Sequence, residues 1–403
     1  MAAAGSYSIP TMKELFGNDP TRNAADRQFE GASAGASSLK DCLRRETVLV
    51  TGAGGSLGRA LARRLAALPL ERLLLVDTSE HGLVRLNDTL RVERGSEVPS
   101  DQPSLSFVLA DLRTESGRAR ALRRKPTTVL HAAAYKHVPF LETRPIAAAE
   151  NNLVATADWL QACRKASVEQ FVLVSTDKAV RPVGVMGRTK AGTERLLRVL
   201  RRTPTPGLTA QTVRLCNVFG SRGSVVPRFC RRLRQGQPLE VTDPAMERQY
   251  LSAEEAAEAV VQVLRHEAGT YVPRAGRSLT VGDIADRLLR WGRPAADPDE
   301  WIRVVGRRAG ERDRERLVAP EEQPAVPVKG PKVSSPEGKT PVLTAEEAPP
   351  SVRENFTLTH PEYLGLPPSS LPGGDFASLR VQNPCRYRIE KSSSCLAHSA
   401  LRC

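Results

Sequence analysis

Short runs of β-branched residues and leucine recur along the chain, and most are followed by a stretch with apolar positions at helical spacing. Residues 47–51 (TVLVT), 72–76, 105–109, 129–134, 170–174 and 211–215 read as strands. Leu57, Leu61, Leu65 and Leu68 mark the first helix; further helices are predicted over 80–93, over 145–165 and from the region of Lys190 to Arg202. Strands alternating with helices specify an α/β fold, a Rossmann-type doubly wound parallel sheet. Beyond the sixth strand the chain is expected to build a smaller C-terminal substrate lobe. Ser252 with Glu255 and Thr280 with Asp283 form capping boxes at the starts of two of its helices.

The flanks read differently. Residues 1–45 are rich in Ala, Gly, Ser and Asn and predict an irregular arm with helical turns at 12–16 and 39–43. Residues 46–320 are expected to form the ordered domain, its sheet core over about 46–218 and its lobe mainly over 219–320. The Pro- and Ser-rich stretch 321–403 predicts a disordered tail. No apolar run reaches the length of a membrane span and no signal-peptide core is visible, so no integral membrane segment is expected.

Composition narrows the picture slightly. A net charge of +14 suits an anionic partner, but aromatics are only 4% and no basic block interleaves with them, which argues against nucleic acid. The 7 cysteines show no CxxC pair and no metal-ligand spacing, so no metal is expected and a reducing cytoplasm is the simplest compartment. A homo-oligomer is expected.

The first strand runs into TGAGGSLG, with glycines at 52, 54, 55 and 58. Gly52, Gly54, Gly55 and Gly58 let the backbone turn tightly and approach a pyrophosphate at a helix N-terminus; Ser56 and Leu57 belong to the same turn. The second strand is followed by Asp77, roughly 20 residues past the glycines, where a carboxylate can accept from an adenosine ribose. Asp77 favours NAD, because it would repel the extra phosphate of NADP; a nearby basic residue would reverse this, so NADP is kept as the alternative. Asp111 and Leu112, after the third strand, are placed near the adenine. Ala132 and Ala133 leave room for a ligand where the fourth strand ends. His131 reads as strand packing, and Lys136 and His137 sit on the loop beyond it.

Short-chain dehydrogenases pair a tyrosine with a lysine one helical turn later. Here Lys190 is present, but Met186 occupies the tyrosine position. Ser175, Thr176, Asp177 and Lys178 lie at the carboxyl end of the fifth strand and bring a hydroxyl, an acid and a base together. A simple dehydrogenase has no use for adjacent Asp and Lys there. A dehydratase does, since removal of water needs one group to take a proton and another to give one.

TGAGGSLG, HAAAYKHVP, STDKAVRPVGVMGRTK, RLCNVFGSRGSVVPRF and VTDPAMERQYLS, in this order, resemble the nucleotide-sugar 4,6-dehydratases of bacterial polysaccharide biosynthesis, extended short-chain dehydrogenase/reductases acting on UDP-N-acetylglucosamine. The resemblance covers residues 47–316. It implies that Asp177 protonates the leaving 6-hydroxyl, Lys178 takes the proton from carbon 5, Thr176 bonds the 4-hydroxyl and Lys190 holds the cofactor ribose. It implies Arg248 as a diphosphate contact, and Asn217 and Val226 join Lys136 and His137 in the substrate set. Long members of the family similarly have Met where shorter ones have the tyrosine. They also carry transmembrane helices and a further domain ahead of the glycine turn; ELFGNDP, residues 14–20, resembles their linker, and neither feature is expected here. Cys216, Glu247 and Gln249 depart from the family pattern. A nucleotide-sugar epimerase or oxidoreductase, and a catalytically silent NAD-binding regulator, are the alternative readings.

Overall fold

A computed structural model describes residues 9–17, 39–95, 99, 101–202, 207–273, 276–308, 310–319 and, for the backbone alone, 333–334. Most of the predicted arm and tail lie outside these residues.

Seven strands run parallel: β1 (Thr47–Thr51), β2 (Arg72–Asp77), β3 (Ser104–Leu109), β4 (Thr128–His131), β5 (Gln170–Thr176), β6 (Thr209–Leu215) and, from late in the chain, β10 (Gly269–Pro273). Their order is β3-β2-β1-β4-β5-β6-β10, and the two-residue β13 (Val333–Ser334) pairs antiparallel with β10 at the edge. The order reverses between β1 and β4, which opens a crevice at the strands' carboxyl ends. All five β1 residues are buried because helices cover both faces. Val48 and Val50 pack with Leu61, Leu65 and Val260 on one face; Leu49 packs with Trp159, Phe171 and Leu197 on the other.

A second core gathers Phe219, Val226, Phe229, Leu233, Val241, Ile284 and Leu288. Around it lie β7 (Asn217–Val218), β8 (Leu239–Val241), β9 (Glu247–Leu251), β11 (Arg277–Thr280) and β12 (Ile302–Val304), in sheets ordered β11-β9-β7 and β12-β8. Both predicted capping boxes are formed, at the helices Ala253–Gln262 and Val281–Gly292. The predicted helical turns at 12–16 and 39–43 are helices over Met12–Phe16 and Leu39–Cys42. Leu15 enters the second core, and the Phe16 ring meets Phe219 edge-on at 6.3 Å.

Two sequence-based elements need correction. The fourth strand stops at His131 rather than residue 134, since the small residues after it turn away from the ladder. The helix expected over 145–165 is interrupted by a π-helical segment, Glu150–Val154, which carries Asn152. The Asn152 side chain accepts from Tyr135 N–H (2.8 Å) and donates to Tyr135 C=O (3.0 Å) and Thr189 Oγ1 (3.1 Å). Such local widening of a helix recurs at functional sites, and here it secures the loop that leaves β4.

Candidate active site

A cleft of about 1010 Å³ follows the switch point, floored by the carboxyl ends of β1, β4 and β5 and roofed by the second core. At its nucleotide end β1 turns through Gly52, whose φ is +68°. A Cβ on Gly58 would fall 2.0 Å from Gly52 C=O, so the helix Ser56–Ala66 can start this close to the strand only with glycine there. Asp77 accepts from Gly54 N–H and from Ser79 N–H, each at 2.8 Å, and so ties the glycine turn to the end of β2. Gly52, Gly55, Ser56, Leu57, Gly58, Asp77, Asp111, Leu112, Ala132 and Ala133 all line the cleft; Gly54 takes part through its bond to Asp77. Asp111 is clamped by Arg113 (2.7 Å), which holds its carboxyl below the ordinary range. The backbone N–H of Arg222 donates to Ser56 Oγ (3.0 Å) and its guanidinium to Gly54 C=O, so the loop after β7 closes over the glycine turn.

At the other end β5 delivers Thr176, Asp177 and Lys178. The strand itself extends through Thr176. Asp177 is only 2% exposed, and its carboxylate accepts from Thr176 Oγ1 (2.8 Å) and Lys178 Nζ (2.9 Å). Lys178 Nζ also donates to Asn217 Oδ1 (3.2 Å), and Thr176, Lys178 and Asn217 face the cleft while Asp177 lies behind them. Met186 and Lys190 stand one turn apart on the helix Val185–Arg202, and both line the cleft. Lys190 Nζ donates to Val174 C=O (2.6 Å), and burial lowers its pKa to about 8 against the pull of Glu194 one turn on. His131 is buried and hydrogen-bonded through Nδ1 to Thr51 Oγ1 (2.9 Å) and through Nε2 to Thr156 Oγ1 (3.0 Å). Burial, aided by Lys190, drives its pKa to about 3, so it is a neutral packing group. Among the described residues no cluster of three or more metal-ligating side chains occurs.

Lys136 and His137 are exposed on the cleft-lining loop after β4. Val226, placed in the substrate set from the sequence, is fully buried in the second core instead, because it projects from the inner face of the helix Val225–Arg234. Arg248 lines the cleft, yet its guanidinium is engaged by backbone: it donates to C=O of Glu247 (2.8 Å), Arg312 (2.7 Å) and Asp313 (3.0 Å).

Several cleft residues escaped the sequence reading. Ser224 caps the helix Val225–Arg234 without a side-chain bond of its own, and Ser224 Oγ and Arg228 Nε are buried without a hydrogen-bond partner. Arg308 also lines this part of the cleft and, after burial, is the next cause of the lowered Arg228 pKa. A helix N-terminus with two cations lining the same part of the cleft can receive an anion. The segment GSVVPRF contains Ser224 and Arg228, so its basic residue just inside a helix start was the available signal. Glu315 lines the cleft from a polar segment with no pattern to single it out.

Residues 48–331 match the family described as polysaccharide biosynthesis protein. This chain belongs to that family. It is 33% identical over 279 residues to the capsular polysaccharide biosynthesis protein CapD of Staphylococcus aureus, covering 68% of this chain and 45% of that protein. It therefore spans less than half the length of that relative. A UDP-glucose 4-epimerase of Rickettsia conorii is 31% identical over 280 residues, covering 69% of this chain and 79% of the relative. Among solved structures, DesIV, a dTDP-glucose 4,6-dehydratase from Streptomyces venezuelae with NAD and TYD bound, superposes with a TM-score of 0.58 at 25% identity, covering 68% of this chain and 89% of that one. Glu247, one of the departures from the family pattern, pairs with Arg314 (2.5 Å) and accepts from Ser278 Oγ. Among the described residues no helix is long and apolar enough to cross a membrane.

Proposed function

We propose that this member of the polysaccharide biosynthesis family dehydrates a UDP-amino sugar, UDP-N-acetylglucosamine, to a 4-keto-6-deoxy product with NAD as a recycled cofactor. The observation that carries the reading is the Asp177–Lys178 pair at the end of β5, with Lys178 on the cleft wall and Met186 in the tyrosine position. The glycine turn, the start of the helix Ser56–Ala66 and the carboxylate of Asp77 fit a dinucleotide, with Asp77 on the adenosine ribose and Lys190 on the nicotinamide ribose. A dinucleotide held there by the glycine turn, Asp77 and Lys190 would supply the hydride acceptor for carbon 4 and the hydride donor for carbon 6. The rest falls to the chain's own residues. Lys178 Nζ donates to the Asp177 carboxylate across 2.9 Å, so a proton can pass directly between the two. With a proton on Asp177, the neutral amine of Lys178 on the cleft wall removes the carbon 5 proton, and the buried carboxyl supplies the departing 6-hydroxyl with its proton through the Thr176 hydroxyl in front of it. Thr176 fixes the carboxylate and presents its oxygen to the 4-hydroxyl.

The diphosphate is assigned to the N-terminus of the helix Val225–Arg234 with Ser224, Arg228 and Arg308, rather than to Arg248, whose donors serve backbone carbonyls. An epimerase reading gains from the Rickettsia relative, but it leaves the Asp177–Lys178 pair without a task and requires the tyrosine that Met186 replaces. Incubation of the purified chain with UDP-N-acetylglucosamine, followed by NMR, tests the proposal. A 4-keto-6-deoxy sugar is expected; a 4-epimer, or no product with either NAD or NADP added, rejects it.

A further inference from the structure

Two buried arginines fix residues 311–317 along the sugar end of the cleft. Arg248, 8% exposed, donates to C=O of Arg312 and Asp313. Arg214, 3% exposed, donates to Leu317 C=O at 3.1 Å. Further ties come from Arg312, which donates to Val180 C=O (3.0 Å), and from the Arg314–Glu247 pair. Between the anchors Glu315 reaches the cleft wall shared with Lys178 and Met186. Its carboxylate makes no hydrogen bond or salt bridge to the described residues, although Arg312, Asp313 and Arg314 before it and Leu317 after it are tied down. Burial raises its pKa, Asp177 acts in the same direction, and Lys178, Arg248 and Arg312 oppose. A half-buried carboxyl with a raised pKa is a stronger proton acceptor than an exposed one.

The dehydratase reading lacks a group to take the 4-hydroxyl proton; of the other titratable side chains on the cleft wall, Lys136 and His137 are exposed on the loop after β4, burial pushes the Cys216 thiol up to about 12, and Glu311 accepts from Arg308 N–H (3.1 Å). Tyr250 lines the cleft, but burial pushes its phenol up to about 12. His131 is closed between two threonines, Lys190 donates to Val174, and Asp177 and Lys178 serve the elimination.

We propose that Glu315 is the base for the 4-hydroxyl of the sugar, a catalytic residue standing in for the tyrosine that Met186 replaces. The assignment rests on the dehydratase reading. The O4–H bond breaks with its proton passing to the Glu315 carboxylate, while the carbon 4 hydride leaves for the nicotinamide and the ketone forms. Lys178 then takes the carbon 5 proton as the C6–O bond breaks, and Asp177 gives its proton to the departing hydroxyl. After the hydride returns to carbon 6 and Lys178 returns a proton to carbon 5, the proton held by Glu315 passes through Lys178 to recharge Asp177. The net loss is one water, which carries the original 6-hydroxyl and the equivalent of the 4-hydroxyl proton.

Glu315→Gln and Glu315→Asp in the full chain test this. With UDP-N-acetylglucosamine and NAD, Glu315→Gln is expected to slow the first appearance of bound NADH by about a hundredfold or more and to abolish the acid limb of its pH profile, with Glu315→Asp restoring part of the rate. UDP affinity by calorimetry should stay within about twofold, as general-base loss acts on rate. When the 4-keto-6-deoxy product is supplied in deuterated water, Glu315→Gln should still exchange the carbon 5 hydrogen, because Lys178 serves that step. NADH formation at the wild-type rate and pH profile overturns the assignment, as does loss of UDP binding in both variants, or loss of carbon 5 exchange together with oxidation. A wild-type chain that forms neither NADH nor keto product overturns the dehydratase reading itself, and this assignment with it.

Discussion

Arg214 and Glu194 form a salt bridge of 2.8 Å with both side chains 3% exposed, linking β6 to the helix that carries Met186 and Lys190. Ser175 Oγ donates to the same carboxylate at 2.5 Å, and Arg214 reaches on to Leu317. Strand β5, the lysine helix and the segment bearing Glu315 therefore share one buried anchor. Arg214→Met strands a buried carboxylate and is expected to cost about 3–5 kcal/mol, while the double variant Glu194→Leu with Arg214→Met costs less than the single one. Urea unfolding of the three proteins checks the order.

The roles at β5 separate in a mutant series. Lys178→Ala should still oxidise carbon 4 and accumulate bound NADH, because the step it serves comes later. Asp177→Asn should stall at the same stage, with turnover reduced about a hundredfold or more, since an amide is a poor proton donor. Lys190→Ala should weaken cofactor binding and suppress NADH altogether. Absorbance of the bound cofactor separates Lys190→Ala from the other two, and normal turnover by Lys178→Ala would refute its role.

Arg228 and Arg248 should fail in different ways. Arg228→Ala removes the unpartnered Nε assigned to the diphosphate, together with one long bond from Nη2 to Glu240 C=O (3.5 Å), and is expected to weaken UDP binding by roughly ten- to a hundredfold, as hydrogen bonds to charged groups contribute about 1.5–3 kcal/mol, with a smaller change in melting temperature than Arg248→Ala. Arg248→Ala leaves the carbonyls of Arg312 and Asp313 without their donor and is expected to lower the melting temperature first. Calorimetric titration with UDP, set beside thermal unfolding, decides between them.

Much of this organisation was legible in the sequence. Short apolar runs rich in β-branched residues, bounded by glycine, aspartate or serine and alternating with helical periods, read as parallel strands, so the sheet and the glycine turn followed from pattern. The π-helical segment left no trace, because one widened turn keeps the helical period and the Asn152–Tyr135 bonds that accompany it join residues 17 positions apart. Arg248 reads as a phosphate ligand in the sequence because two of its three acceptors are backbone carbonyls more than sixty positions away, which no sequence pattern encodes. Val226 was misplaced for a simpler reason: helix phase decides whether a residue faces the cleft or the core, and its neighbour Val225 took the cleft position.

His131 provides a test in pH. Its pKa of about 3 in the folded chain lies below the ordinary value of 6.5, so between these values the unfolded chain binds more protons. Its contribution is fully present above about pH 6.5 and is lost on acidification, by up to about 1.4 kcal/mol per pH unit. His131→Gln, which cannot titrate, should be less stable than wild type at pH 7, and the difference should shrink towards pH 4.5. Parallel urea titrations at the two pH values measure it; a constant difference would show that His131 is not held neutral.

The most direct measurement follows the hydrogen on carbon 4. UDP-N-acetylglucosamine carrying deuterium there, turned over in ordinary water, should yield a 4-keto-6-deoxy sugar with the deuterium on carbon 6, and turnover of unlabelled substrate in deuterated water should place one solvent deuterium on carbon 5. Both labels arise together only if one active site oxidises, eliminates water and reduces. Deuterium retained on carbon 4 of an epimer, or absent from carbon 6 of the product, would contradict the proposed dehydration.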